Sequence, residues 1–243
     1  MELAGRVALV TGAGHRLGRA IAVALGARGM QVAVHFRHTA GGAEETHRLI
    51  TAAGGRAALF AADLAQPGAP ATLVESVAAH YGALDVLVNS AAVMERTPVG
   101  EVTVEAWDAM FALNLRAPFF AAQAAAAVMR ERGGAIVNIA DLAAFETWPG
   151  YVPHGITKAG VVQMTRALAK ALAPAVRVNA VAPGVVLLPE GWDVASAERL
   201  RRTTPLQTLG SPDDVVRAVL FLLESDFVTG ETILVDGGRH VRR

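Results

Sequence analysis

Two features of this sequence could do chemistry: a glycine-rich turn near its start and a lysine placed where lysine is otherwise avoided. Of the 22 basic residues, all but Lys158 and Lys170 are arginine. A chain that covers its surface with arginine has chosen those two positions for an ammonium group, whose pKa a pocket can shift and whose donors can rotate. His154 stands four residues before Lys158, so any helix containing both puts them on one face, a turn apart. Tyrosine is as scarce, with only Tyr81 and Tyr151. Near the start, Thr11-Gly12-Ala13-Gly14-His15-Arg16-Leu17-Gly18 follows a short apolar run and leads into helical periodicity. Glycines in such a turn let the backbone approach a pyrophosphate, and the following helix offers unpaired N–H groups and partial positive charge to hold it. The turn predicts dinucleotide binding.

The next strand-like segment ends in His35-Phe36-Arg37-His38-Thr39. An acid there would bond the ribose hydroxyls of NAD and repel a 2′-phosphate, and none is present. Arg16 and Arg37 are expected to converge on that corner and favour a dianionic phosphate, which predicts NADP(H) as cofactor. Asp63, past the third strand, has two readings: acceptor for the adenine amino group, or helix cap.

The elements that must position these residues alternate along the chain. Strand-like runs at Arg6 to Val10, Gln31 to Phe36, Ala57 to Ala61, Val86 to Asn89, Ala135 to Ala140 and Arg177 to Val181 are separated by helical segments at Arg16 to Arg28, Gly42 to Ala53, Pro70 to Tyr81, Thr103 to Arg132 and Pro153 to Leu172. The strands read as nearly unbroken apolar runs, the pattern of a parallel sheet covered on both faces by crossover helices. A doubly wound α/β fold of the Rossmann type follows. No linker or charge run divides the chain, so one domain over residues 1–243 is expected. Residues 183–205 are the least regular stretch and suit a loop with a short helix over a cleft.

Composition closes off other classes. With 53% apolar residues and a formal net charge of zero, the chain is neither disordered nor equipped with a nucleic-acid-binding charge footprint. Its longest apolar stretch, Phe119 to Met129, is interrupted by Gln123 and falls short of the roughly 18 residues a membrane span needs. The N-terminal MELAGRVALVTG carries an acid and moves straight into a strand, unlike a signal peptide. With no cysteine, disulfides and thiolate metal sites are impossible, and no metal is expected. A cytoplasmic protein with a small-molecule substrate, no nucleic-acid partner and no membrane partner is the expectation.

The motifs, taken together, resemble the classical short-chain dehydrogenase/reductase family over almost the whole chain. The matching pieces are Thr11-Gly12 through Gly18, Asp63-Leu64, Asn89-Ser90-Ala91-Ala92, Asn114, Asn138-Ile139, Lys158-Ala159-Gly160, Arg177-Val178-Asn179, Pro183-Gly184 and Val228-Thr229-Gly230 through Val235-Asp236-Gly237-Gly238. The basic residue before Arg16-Leu17-Gly18, the His/Arg-rich segment at residues 35–38 and the ending Asp236-Gly237-Gly238-Arg239-His240 look most like pteridine and dihydromonapterin reductases. The resemblance implies that Gly12, Gly14, His15, Arg16, Leu17, Gly18, Arg37, His38, Asp63, Leu64, Asn89, Ala91, Lys158, Pro183 and Gly184 hold the cofactor. It also implies a homo-oligomer, expected to be a tetramer, with the helices of residues 103–132 and 153–172 at its two-fold interface.

The family's catalytic set is an asparagine, a serine, a tyrosine and a lysine. Asparagine and lysine map onto Asn114 and Lys158; the serine place holds Asp141 and the tyrosine place His154. An aspartate at the first of these is shared with pteridine reductases, whereas the histidine departs from both groups. His154 either transfers a proton or fills the tyrosine's space. Tyr151, seven residues before Lys158, is a candidate substitute for the tyrosine, but Pro153 is expected to leave it in the preceding loop, where lining the substrate mouth is the favoured reading over a catalytic one. Met94 takes the place of an aromatic that would stack on a pterin, and Trp148, Leu188 and Trp192 complete the expected substrate wall.

The leading expectation is an NADPH-dependent reductase that delivers hydride to a C=N bond of a pterin-like heterocycle, with Asp141 and a bound water supplying the proton. One alternative is a ketone or alcohol oxidoreductase using His154. Another is an NADPH-binding sensor or scaffold with little turnover.

Overall fold

Apolar runs without a polar face must be covered on both sides, and the chain does this with two layers of helices. The structure is a computed structural model that describes residues 1–188 and 193–241. Its strands are β1 (Val7–Val10), β2 (Gln31–Phe36), β3 (Arg56–Ala61), β4 (Val86–Asn89), β5 (Gly134–Ile139), β6 (Val176–Pro183) and β7 (Thr232–Val235). The helices are α1 (Arg16–Ala27), α2 (Ala40–Ala52), α3 (Ala69–Tyr81), α4 (Val104–Phe111), α5 (Ala117–Met129), α6 (Val152–Leu172), α7 (Val194–Thr203) and α8 (Pro212–Glu224).

All seven strands form one parallel sheet in the order β3-β2-β1-β4-β5-β6-β7. The chain winds outward from β1 to β3, then returns to lay β4 on the other side of β1. Val10 at the end of β1 is therefore paired with Val34 on one side and Val88 on the other. That reversal opens a crevice at the carboxyl ends of β1 and β4, where open α/β sheets bind ligands.

Strand periodicity sorts the core into two faces. Val7, Leu9, Leu87, Ile136 and Val178 point toward α3, α5 and α6, where Val74, Ala121 and Val161 meet them. Ala8, Val10, Val86, Val88 and Val137 point the other way, toward Ile21 and Leu25 of α1 and Val215 and Val219 of α8. No described helix is long and apolar enough to cross a membrane.

Two expectations are revised. The segment from Thr103 to Arg132 is not one helix: α4 and α5 are joined by a π-helical turn at Ala112–Arg116. The wider turn carries the buried Asn114 inward, and such turns recur at functional sites. The β/α alternation also continues past Val181, through α8 to β7, which closes the far edge of the sheet. In the irregular stretch, α7 is the expected short helix, capped by Asp193 accepting from the Ser196 amide at 2.8 Å.

Candidate active site

The glycine turn sits at the crevice and is shaped by contacts that only glycine permits. Gly12 has φ +68°, and a Cβ there would lie 2.9 Å from the Ala91 Cα. A Cβ on Gly18 would stand 2.3 Å from the Gly12 carbonyl oxygen. The turn is tied down on three sides. The Gly12 amide donates to His35 Nδ1 at 3.1 Å, Thr46 Oγ1 donates to the Ala13 carbonyl at 2.8 Å, and Arg19 donates to the Gly14 carbonyl at 2.6 Å. Thr11 Oγ1 accepts from the amides of Ser90 and Ala91 at 2.9 and 3.0 Å, joining the turn to the loop after β4. His15 precedes α1 without a side-chain cap, so the first-turn N–H groups remain for an anion. A narrow backbone cradle ending on an uncapped helix fits a pyrophosphate.

The expected convergence of two arginines on the β2 corner is not what the structure shows. Arg37 pairs with Asp63, Nη2 to Oδ2 at 3.1 Å. Arg16, at φ 49°, instead extends to the carbonyls of Leu187 and Leu188 at 3.5 and 3.3 Å. It bridges the glycine turn to the segment after β6. Asp63 also accepts from the Ala65 amide at 3.1 Å, so it caps the turn after β3 as well as pairing with Arg37. His15 and His38 are exposed, Leu17 is half-buried, and Leu64 packs in the core.

Around the family's catalytic positions the structure brings four side chains together. Lys158, buried in α6, donates from Nζ to the Ile139 carbonyl at 2.8 Å. Burial pushes its ammonium below the ordinary lysine value, and the charge of Asp141 pulls partly back. Asn114 holds the Val93 peptide at both ends, accepting from its N–H at 2.9 Å and donating to its carbonyl at 2.8 Å. His154 Nδ1 reaches the same carbonyl at 3.3 Å. A carbonyl can only accept, so Nδ1 carries a proton. Nε2 of the same ring is buried, lies 3.9 Å from Asp141 Oδ2 and has no hydrogen-bond partner among the described residues. Asp141 accepts from the Ala143 amide at 2.7 Å. Its side chain is 25% exposed against 3% for His154, so the carboxylate is the open member of the pair.

The substrate side is built from two facing segments. The Thr97 amide donates to the Gly150 carbonyl at 2.9 Å, laying the Met94 loop against residues 148–151. Met94 is exposed. Tyr151 ends a 3₁₀ turn just before α6, as Pro153 requires, and stands edge-on to Trp148 with ring centres 6.3 Å apart. Trp148 donates to Glu146 at 2.9 Å, and Glu146 lies 3.9 Å from the buried Arg239. Leu188 is half-buried; Trp192 lies outside the described residues. Asn89 is buried and donates to Asn138 at 2.9 Å, which makes it a strand-to-strand tie. Gly184 packs so closely that a Cβ would lie 2.9 Å from the Asp236 Cα, and the buried Pro183 precedes it.

Sequence reasoning missed His35, Thr46 and Arg19 as supports of the glycine turn. Arg19 repeats the spacing of an ordinary helix surface, and Thr46 is buried in α2 with nothing nearby in sequence to mark it.

Proteins of known structure share this fold. A family model described as enoyl-(acyl carrier protein) reductase matches residues 12–240. The chain belongs to the short-chain dehydrogenase/reductase family. It is 34% identical over 241 residues to a 3-oxoacyl-acyl-carrier-protein reductase of Synechocystis sp., covering 97% of each chain. Among solved structures, FolM alternative dihydrofolate reductase 1 from Brucella canis, complexed with NADP, superposes with a TM-score of 0.94 at 32% identity, covering 100% of this chain and 96% of that one. The angucycline C-6 ketoreductase LanV with bound NADP gives 0.92 at 34% identity, with 99% and 98% covered. The protein is an oxidoreductase of this family, and both of those solved structures hold NADP.

Proposed function

We propose that the protein reduces a C=N bond of a pterin-like heterocycle with NADPH. The observation that carries the reading is the openness of Asp141 beside a closed-off His154. At the site where the family uses a tyrosine hydroxyl, the group that can meet a substrate is a carboxylate. An imine nitrogen is more basic than a carbonyl oxygen, so it takes a proton early from a modest donor. Bound NADPH supplies the hydride. Asp141 holds the water through which the nitrogen is protonated, and solvent restores that proton. Lys158, fixed by the Ile139 carbonyl, would hold the cofactor's ribose, and Asn114 with His154 fixes the Val93 peptide that presents Met94. Met94, Trp148, Tyr151 and Leu188 form the wall against which a flat ring rests. The similarity to the Brucella canis reductase supports the same substrate class.

A second reading is carbonyl reduction, favoured by the buried Nε2 of His154, which has no hydrogen-bond partner among the described residues, and by the ketoreductase relative. There a protonated Nε2 would act in place of the tyrosine hydroxyl. Steady-state NADPH oxidation with a dihydropterin and with a small aromatic ketone separates the two. Turnover of the dihydropterin is expected; turnover of the ketone alone overturns the first reading.

A further inference from the structure

The side chain of His35 lies at the carboxyl end of β2, 2% exposed and wedged between β1 and β3. Its two ring nitrogens are both used. Nε2 lies 3.1 Å from the Ala62 carbonyl, which can only accept, so Nε2 carries the proton and Nδ1 is left as an acceptor. Nδ1 takes the Gly12 amide at 3.1 Å. The backbone carbonyl of His35 takes the next amide, that of Ala13, at 2.8 Å. Burial pushes the imidazole below its ordinary value, against an upward pull from Ala62, and so favours the neutral ring that this arrangement needs.

Gly12 is the glycine of the turn at positive φ, +68°, a region that favours glycine. Without His35 Nδ1 the Gly12 N–H would lose its acceptor, and the peptide that opens the cradle would lose that tie. The other ties act further along, Thr46 on Ala13 and Arg19 on Gly14. The ring of His35 is the side chain that fixes the entry.

We propose that His35 is a positioning residue for the dinucleotide: as a neutral Nε2–H tautomer it accepts the Gly12 N–H and sets the backbone cradle for the pyrophosphate. The proposal rests only on the turn holding the cofactor and is independent of the substrate reading.

The test uses His35→Asn and His35→Leu in the full-length protein. Asparagine places Oδ1 where Nδ1 stands and keeps the acceptor while losing the bond to Ala62. Leucine keeps the bulk and loses the acceptor. Affinities for NADPH and NADH are read by fluorescence titration, with circular dichroism to establish that each variant is folded. His35→Leu is expected to weaken both cofactors about tenfold or more, and His35→Asn to stay within about threefold of the parent. If the leucine variant does not fold, His35→Ala takes its place, and the same contrast with asparagine is read.

Three results overturn the proposal. The first is parental affinity in the leucine or alanine variant, because the acceptor then does nothing. Asparagine as weak as leucine is the second, because the ring and not the acceptor then matters. The third is a loss confined to NADPH, which places the effect at the 2′-phosphate corner and not at the pyrophosphate turn.

Discussion

Arg37 at the tip of β2 and Asp63 beyond β3 form an ion pair at 3.1 Å whose two side chains are 51% and 25% exposed. A pair this open contributes about 0–1 kcal/mol, so a dianionic 2′-phosphate can displace Asp63 from the guanidinium. NADPH is expected to bind more tightly than NADH. Arg37→Asp removes a charge-assisted bond and adds repulsion, costing about 2–4 kcal/mol of NADPH binding and leaving NADH nearly unchanged. Calorimetric titration of both cofactors checks this; equal affinities in the parent refute it.

Gly12→Ala places a methyl group 2.9 Å from the Ala91 Cα at a φ of +68°. The expected cost is about 1–3 kcal/mol of stability together with loss of cofactor binding, since the cradle must shift to admit the methyl. Thermal melts and an NADPH titration read the two effects separately. Gly41→Ala is the control: a Cβ there meets nothing within 4 Å, and no loss is expected.

The pH dependence of stability has a definite sign at His35. Burial lowers its folded-state pKa, with the bond to Ala62 opposing, so the unfolded chain takes up a proton at higher pH than the folded one. The contribution of His35 is complete above about pH 6.5 and erodes as the pH falls below that, by up to about 1.4 kcal/mol per pH unit. Melting temperatures of the parent and His35→Asn at pH 7.5 and pH 5.5 test this. The parent should lose more on acidification than the variant, and parallel losses would refute the assignment.

Much of this architecture is legible in the sequence because parallel strands and crossover helices have local signatures. The runs VALV and VLVN and the glycine turn between β1 and α1 are enough to locate the crevice. The spacing of Asn114, Asp141, His154 and Lys158 survives into three dimensions because all four sit on helical elements or their immediate ends. What is not legible depends on distant contacts. His35 is 23 residues from Gly12, and Arg16 meets Leu188 across 172 residues of sequence. Arg16 is at positive φ, and neither that angle nor its side-chain torsions can be read from composition. The π turn at residue 112 is hidden for a similar reason: its residues other than Asn114 are ordinary helix formers, and the wider turn goes with the inward anchoring of Asn114 on the Val93 peptide.

Apolar surface on α5 bears on assembly. Phe119 and Phe120 are 39% and 44% exposed, and with Phe111, Leu115 and Met164 they line a groove between α4, α5 and α6. Large apolar side chains gathered this way mark an interaction surface, and a second copy of the chain is the expected occupant, within a tetramer. Light scattering at micromolar concentration should give a multiple of the 25.3 kDa chain mass. Phe120→Glu should shift the distribution toward smaller species, and a monomeric parent would refute the expectation.

The pair Asp141 and His154 separates the chemistries most sharply. If the open carboxylate holds the proton-delivering water, Asp141→Ala should lower dihydropterin turnover by about 10²–10⁴-fold while leaving NADPH affinity intact. His154→Tyr should then change dihydropterin turnover little, because the ring is closed off, 3% exposed. If carbonyl reduction is the true activity, the tyrosine variant places a phenol beside Lys158, and ketone turnover should rise. Steady-state rates of both variants on one dihydropterin and one ketone, normalised to NADPH occupancy, distinguish these outcomes. Full dihydropterin activity in Asp141→Ala would sink the imine reading, because no other carboxylate is seen to contact His154 or to act on Lys158 among the described residues.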